Sequence, residues 1–147
     1  MWFTHTLHKQ GALYASPTTD DAPSTILYRP FAPWASNSDW MMQLPRPEQA
    51  ICVAAGAHFC AVATDAGWLR LWSEGGAQLH VSSLPGPVVA MAANDALLAV
   101  VTAAAVQSTS DMALHYTVWC LSVQFVWVVF SFPTWLCVDQ WDCCCYH

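Results

Sequence analysis

Positive charge is scarce in this chain. Lys9, Arg29, Arg46 and Arg70 are its four basic residues, and nothing after Arg70 adds another. Proteins that grip nucleic acid line a surface with Lys and Arg, which displace counterions from phosphates. Four scattered cations in a chain of net charge −6 make no such stripe, so direct nucleic-acid binding by this segment is not expected. No secretory leader is expected either, because Met1 to Gly11 holds two His and a Lys but no continuous apolar run. The seven cysteines are odd in number, and Cys143, Cys144 and Cys145 are adjacent, which is no secreted disulfide framework. A cytosolic or nuclear setting follows.

Signs of catalysis are equally sparse. No serine stands in a nucleophile elbow, and no glycine cluster precedes a helix as phosphate binding requires. Asp20-Asp21 reads as a solvated turn, and His5, His8, His58, His80 and His115 are scattered. Zinc sites space their cysteines so that two thiolates face one ion. Cys143–Cys145 with His147 lack that spacing, and Cys137 makes no recognised pair with them. The expectation is a non-enzyme without metal or cofactor.

What the chain does have is a repeat. Ala50 to Thr64 is echoed 38 positions later by Val88 to Thr102, without a gap. Ala54/Ala92, Ala55/Ala93, Ala61/Ala99, Val62/Val100 and Thr64/Thr102 are identical pairs. Each copy is two short apolar runs joined by a tight connection, Gly56-Ala57 or Asn94-Asp95. Trp68–Trp72 and His115–Trp119 then add a third run, the offset growing to 47 through a longer loop in the second unit. Several strands recurring at about 40 residues are the mark of β-propeller blades.

The spacing predicts strands at 26–31, 40–44, 50–55, 59–64, 68–73, 79–83, 88–92 and 97–102. Asp65-Ala66-Gly67 and Glu74-Gly75-Gly76 serve as hairpin turns. Alternation puts Trp68, Arg70 and Trp72 on one face and Leu69 and Leu71 on the other. Trp40, Trp68, Leu69, Leu71 and Trp72 are therefore the residues expected to pack within and between blades. Residues 1–24 show little pattern and read as a segment and linker ahead of a partial propeller at 25–121. From Ser122 the chain turns into an apolar tail (122–147) rich in Trp and Cys. The 118–138 stretch is about as long as a bilayer span. A tail-anchored membrane protein is therefore the alternative, although Pro133 and the β-branched, aromatic composition favour strand and no Lys or Arg flanks the stretch.

The segments Tyr28-Arg29-Pro30-Phe31 with Trp34 to Trp40, Leu69-Arg70-Leu71 with Glu74 to Gln78, and Ser83-Leu84-Pro85-Gly86-Pro87-Val88-Val89 carry a resemblance. They resemble the middle propeller of the replisome adaptor family, called chromosome transmission fidelity factor four in yeast and WD-repeat and HMG-box DNA-binding protein in animals. The resemblance spans about residues 11–121, is strongest over 25–102, and is nearest to plant or algal members. An ordinary WD repeat fits less well, since Ser73 follows Trp72 where Asp would stand and no Gly-His dipeptide occurs.

The resemblance implies an all-β fold, an incomplete β-propeller of two to three blades from a six-bladed ring. It implies a nuclear scaffold that forms a homotrimer and links DNA polymerase alpha and the GINS complex of the helicase, supporting chromosome cohesion. The family's client-binding helical bundle has no counterpart here. A closed six-bladed ring needs on the order of 240 residues, so a truncated or mis-spliced gene model is expected. An isolated monomer is expected to fold poorly, because cut propellers leave strand edges open.

Overall fold

Short apolar runs separated by turns rich in Gly, Asp and Pro leave no helical stripe to bury, and strands result. The computed structural model describes residues 4–32, 38–103, 114–122 and 125–133, with Ser122 and 125–133 as backbone course only. The described residues form strands and no helix. β1 (Thr4–His8), β2 (Gly11–Ala15), β3 (Thr25–Pro30) and β4 (Trp40–Gln43) make the first sheet, in that order. β5 (Ala50–Ala55), β6 (Phe59–Thr64), β7 (Trp68–Ser73) and β8 (Gln78–Ser83) make the second. β9 (Val88–Asn94), β10 (Leu97–Ala103), β11 (Leu114–Ser122) and β12 (Phe125–Pro133) make the third. Each sheet is an antiparallel four-stranded meander, which is a propeller blade. The fold is an incomplete β-propeller of three blades, with β1, β5 and β9 packed side by side along the inner edge.

The repeat falls where its spacing places it. β5 and β9 begin 38 residues apart, as do β6 and β10, and the loop that lengthens the third blade lies between β10 and β11. Two boundaries shift. The first blade starts at Thr4, so the segment read as an unpatterned lead-in supplies β1 and β2. At the other end, β12 carries the third blade into the apolar tail, past Ser122. No helix among the described residues is long and apolar enough to cross a membrane, and the described part of the 118–138 stretch is strand. Trp34, Cys137, Cys143, Cys144, Cys145 and His147 lie outside the described residues.

Blades meet through the alternating faces of their strands. Leu13, Ala15, Ile26 and Tyr28 of the first blade pack against Val53, Ala55, Cys60, Val62 and Trp72 of the second. The other face of the second blade, with Ala54, Phe59, Ala61, Leu69 and Leu71, packs against Leu98, Val100 and Trp119 of the third. Registers are shared. Leu13 pairs with Tyr28, Ala61 with Leu71 and Ala99 with Val118 at one row. Ala15 with Ile26, Ala63 with Leu69 and Val101 with Tyr116 make the next. Because both of its faces are covered, β6 is buried at every position.

Candidate functional site

The chemistry that stands out is concentrated at the junctions between blades. Trp40 opens β4, the outer strand of the first blade. Its ring stacks on the cross-strand Tyr28 (5.8 Å between centroids) and leans on Trp72 of the second blade (6.4 Å). Its indole Nε1 donates to the Glu74 carbonyl at 2.7 Å, inside the β7–β8 turn. Gly76 closes that turn with φ +84, a left-handed value that glycine adopts without penalty. A Cβ there would sit 2.9 Å from Trp40 Cγ, so the turn and the indole fit only because that position is bare.

Of the other packing candidates, Leu69 and Leu71 are fully buried toward the third blade, and Trp72 is buried toward the first. Trp68 differs. It stands at the start of β7, 39% exposed, and belongs to neither cluster. Its side of the strand is the one that alternation assigns, shared with Arg70 and Trp72.

Below the Trp72 contact the junction turns polar. Arg70 grips Glu48 with both arms, Nε to Oε2 at 2.9 Å and Nη2 to Oε1 at 2.6 Å. The two side chains are 13% and 10% exposed, so this is a largely desolvated, bidentate pair. Glu48 lies in the connection between the first two blades, and its carbonyl accepts from Thr18 Oγ1 at 3.1 Å. Thr18 N donates to Gln49 Oε1 at 3.2 Å, drawing the β2–β3 loop onto the same connection. Ser24, with no exposed surface, completes the clip: its hydroxyl donates to the Ser16 carbonyl (2.7 Å) and accepts from Ala50 N (3.1 Å). Burying these groups is tolerable because each finds a partner. Sequence reading missed Glu48 and Ser24. The available signal was Arg70, a lone cation in an otherwise apolar strand, which requires an acid nearby.

At one end of the blades the turns converge. Ala57 N donates to the Asp95 carbonyl at 2.8 Å, joining the β5–β6 and β9–β10 turns. Lys9, in the β1–β2 turn, reaches Asp95 Oδ1 at 3.1 Å across an exposed surface. In the amide orientation that satisfies the network, Gln10 donates to the Ala57 carbonyl and to Glu74 Oε1 (2.8 Å). These contacts tie all three blades at their inner turns.

Reactive chemistry is damped. Burial pushes the Cys60 thiol well above its ordinary range, and burial likewise raises Cys52, so neither supplies a ready thiolate. Burial also lifts the Tyr28 phenol to about 12. Among the described residues no group of three or more His, Cys, Asp or Glu side chains could hold a metal ion. Thr64 Oγ1 accepts from Trp68 N at 3.2 Å, closing its hairpin. Its repeat partner Thr102 is buried, with no partner for Oγ1 among the described residues, and the same holds for Trp119 Nε1.

Comparison with known proteins agrees with this architecture. The family model described as minichromosome loss protein, Mcl1, middle region, matches residues 3–128. Protein ENHANCER OF LHP1 1 of Arabidopsis thaliana is 41% identical over 97 residues, covering 65% of this chain and 10% of that protein. WD repeat and HMG-box DNA-binding protein 1 of Homo sapiens is 37% identical over 95 residues, covering 65% and 8%. Minichromosome loss protein 1 of Schizosaccharomyces pombe is 34% identical over 76 residues, covering 51% and 9%. The chain thus spans about a tenth of the length of the curated relatives it matches.

Proposed function

The chain belongs to the family of the Mcl1 middle region, and from that membership we propose that it is a propeller segment of a non-enzymatic nuclear scaffold of the DNA replication fork. The observation that carries the reading is coincidence of extent: the family match at 3–128 covers nearly the same residues as the three blades. What the blades supply is a rigid body. Their polar groups hold sheets to one another, and tethering several factors to one hub raises their effective concentration without new chemistry. In this reading the intact scaffold is a homotrimer that links DNA polymerase alpha to the GINS complex and supports chromosome cohesion. Client capture belongs to parts of the scaffold other than these sheets. Trp40, Leu69, Leu71 and Trp72 act here as blade-packing residues, not as a binding site.

Chromatin fractionation through the cell cycle of the source organism tests this. An antibody to residues 4–133 should detect the antigen on chromatin in S phase and co-precipitate DNA polymerase alpha and GINS subunits. An antigen absent from replicating chromatin would refute the assignment.

A further inference from the structure

The β2–β3 loop carries a sequence that blade packing does not account for. Ser16-Pro17-Thr18-Thr19-Asp20-Asp21-Ala22-Pro23-Ser24 lies between the strands, and Thr19 to Ala22 at its tip are exposed. The base of the loop is fixed. Ser16 N donates to the Thr25 carbonyl at 2.8 Å, and the buried Ser24 hydroxyl bridges Ser16 and Ala50. The tip rests on the connection between the first two blades through polar contacts. Thr18 Oγ1 donates to the Glu48 carbonyl, Thr18 N to Gln49 Oε1, and Arg46 Nη2 to the Asp20 carbonyl at 3.2 Å. No residue from 17 to 23 belongs to either core cluster. Arg46 is exposed and makes no ion pair among the described residues.

We propose that Thr18 is a phosphoryl acceptor for an acid-directed protein kinase, and that its phosphorylation lifts the loop tip off the blade connection. The γ-phosphoryl group of ATP passes to Thr18 Oγ1. An O–P bond forms there, the bond from that phosphorus to the ADP oxygen breaks, and the hydroxyl proton goes to the kinase's base. Recognition rests on charge. Asp20 and Asp21 stand two and three residues after Thr18, and no Lys or Arg occurs between Lys9 and Arg29. A kinase whose substrate groove is basic therefore finds uninterrupted negative charge beside the acceptor. Access rests on the thin attachment of the tip, because a segment held by a few polar contacts and no core packing opens locally at low cost. Release follows from the same contacts. A phosphate oxygen has no proton to give the Glu48 carbonyl, so the 3.1 Å hydrogen bond becomes a repulsion. Phosphorylation also adds about two negative charges, next to Asp20, Asp21 and a Glu48 carboxylate already committed to Arg70. Arg46, the cation at the tip without a carboxylate, is the partner such a phosphate draws. Thr19 serves the turn instead: its hydroxyl accepts from Ala22 N at 3.1 Å, and three residues beyond it stands Ala22, not an acid.

Incubating the purified full chain with an acid-directed kinase and ATP, then mapping phosphate by fragment-ion mass spectrometry, tests the acceptor. Phosphate should map to Thr18. Asp21→Asn should slow transfer about ten- to a hundredfold, the loss of one charge-assisted contact to the kinase, and Asp39→Asn should leave transfer to Thr18 unchanged. Hydrogen exchange reads the release. The Thr18 amide should exchange at least about tenfold faster once phosphorylated, while the amides of buried β6 stay protected. Protein recovered from cells of the source organism with the antibody to residues 4–133 gives a reading independent of purification and refolding: it should carry phosphate on Thr18. Phosphate confined to Ser16 or Thr19, an undiminished rate in Asp21→Asn, a phosphorylated loop that exchanges no faster, or cellular protein without phosphate on Thr18 would each overturn the proposal.

Discussion

Gly76→Ala is the most telling single change, because two separate costs meet at one atom. An L-residue held near φ +84 pays a left-handed penalty of about 1–2 kcal/mol. The added Cβ would also meet three atoms of the Trp40 indole at 2.9, 3.1 and 3.2 Å. That ring cannot swing aside freely, since Tyr28, Trp72 and the Glu74 carbonyl hold it. Overpacking of this kind adds roughly 1–3 kcal/mol, so Gly76→Ala should destabilise by about 2–5 kcal/mol. Trp40→Ala alone should cost about 2–4 kcal/mol, at the lower end of the range for core aromatics because the ring is only half-buried. In the double variant the steric part vanishes while the backbone part stays, so the two losses should fall short of additive by about 1–3 kcal/mol. Urea unfolding at one fixed protein concentration measures this cycle, with the denaturant slope checked for constancy. Losses that add to within about 0.5 kcal/mol would show that the indole and the turn are not in contact, and the account of the junction would fail.

Three other perturbations probe the same junctions. Thr64→Val should cost about 1 kcal/mol by stranding the Trp68 amide, whereas Thr102→Val should be neutral or slightly stabilising, since its buried hydroxyl has no partner among the described residues; thermal melts of the two variants side by side decide it. Glu48→Leu or Arg70→Leu alone should each cost about 3–5 kcal/mol by leaving a buried charge unpaired, and the double change should recover most of that loss in urea titrations. Burial raises the Tyr28 phenol from 10.0 to about 12, so the unfolded chain ionises first as pH climbs. The contribution of Tyr28 is therefore complete below pH 10 and lost between 10 and about 12, on the order of 1–3 kcal/mol. Tyr28→Phe should flatten that part of the stability-against-pH curve relative to the parent chain.

How much of this was legible beforehand depended on where side chains alternate. The second blade and half of the third were readable because Ala54/Ala92, Ala61/Ala99 and Val62/Val100 repeat in step, and because turns such as Asp65-Ala66-Gly67 punctuate them. β1 escaped notice because Thr4–His8 is mostly polar. It is an inner strand covered on one side only, so its sequence carries little apolar signal. β12 was hidden for the opposite reason: an unbroken apolar run shows no period and is as compatible with a bilayer as with a sheet. The faces of Trp68 and Trp72 followed from alternation, but alternation does not say that Trp68 is exposed and Trp72 buried, which depends on what packs against each. Glu48 was unreadable for a related reason. It sits in a connection, and a repeat pattern says which residues share a strand, not which loop crosses above them.

The second and third blades make the point about neighbours most sharply. Ala61 and Ala99 are the same residue at the same row of the same strand, yet one is fully buried and the other open. Composition cannot distinguish them, so the difference comes from what lies on top. In arrays of this kind, stability is approximately the sum of each unit's own term and the junctions it makes. Among the described residues the second blade has junctions on both faces, one with the first blade and one with the third. Since β10 repeats the buried alanines and valines of β6 nearly unchanged, it has the sequence of an interior strand. Its row of Leu97, Ala99 and Val101 repeats Phe59, Ala61 and Ala63 of β6, so the same strand pattern serves in both blades whatever covers it.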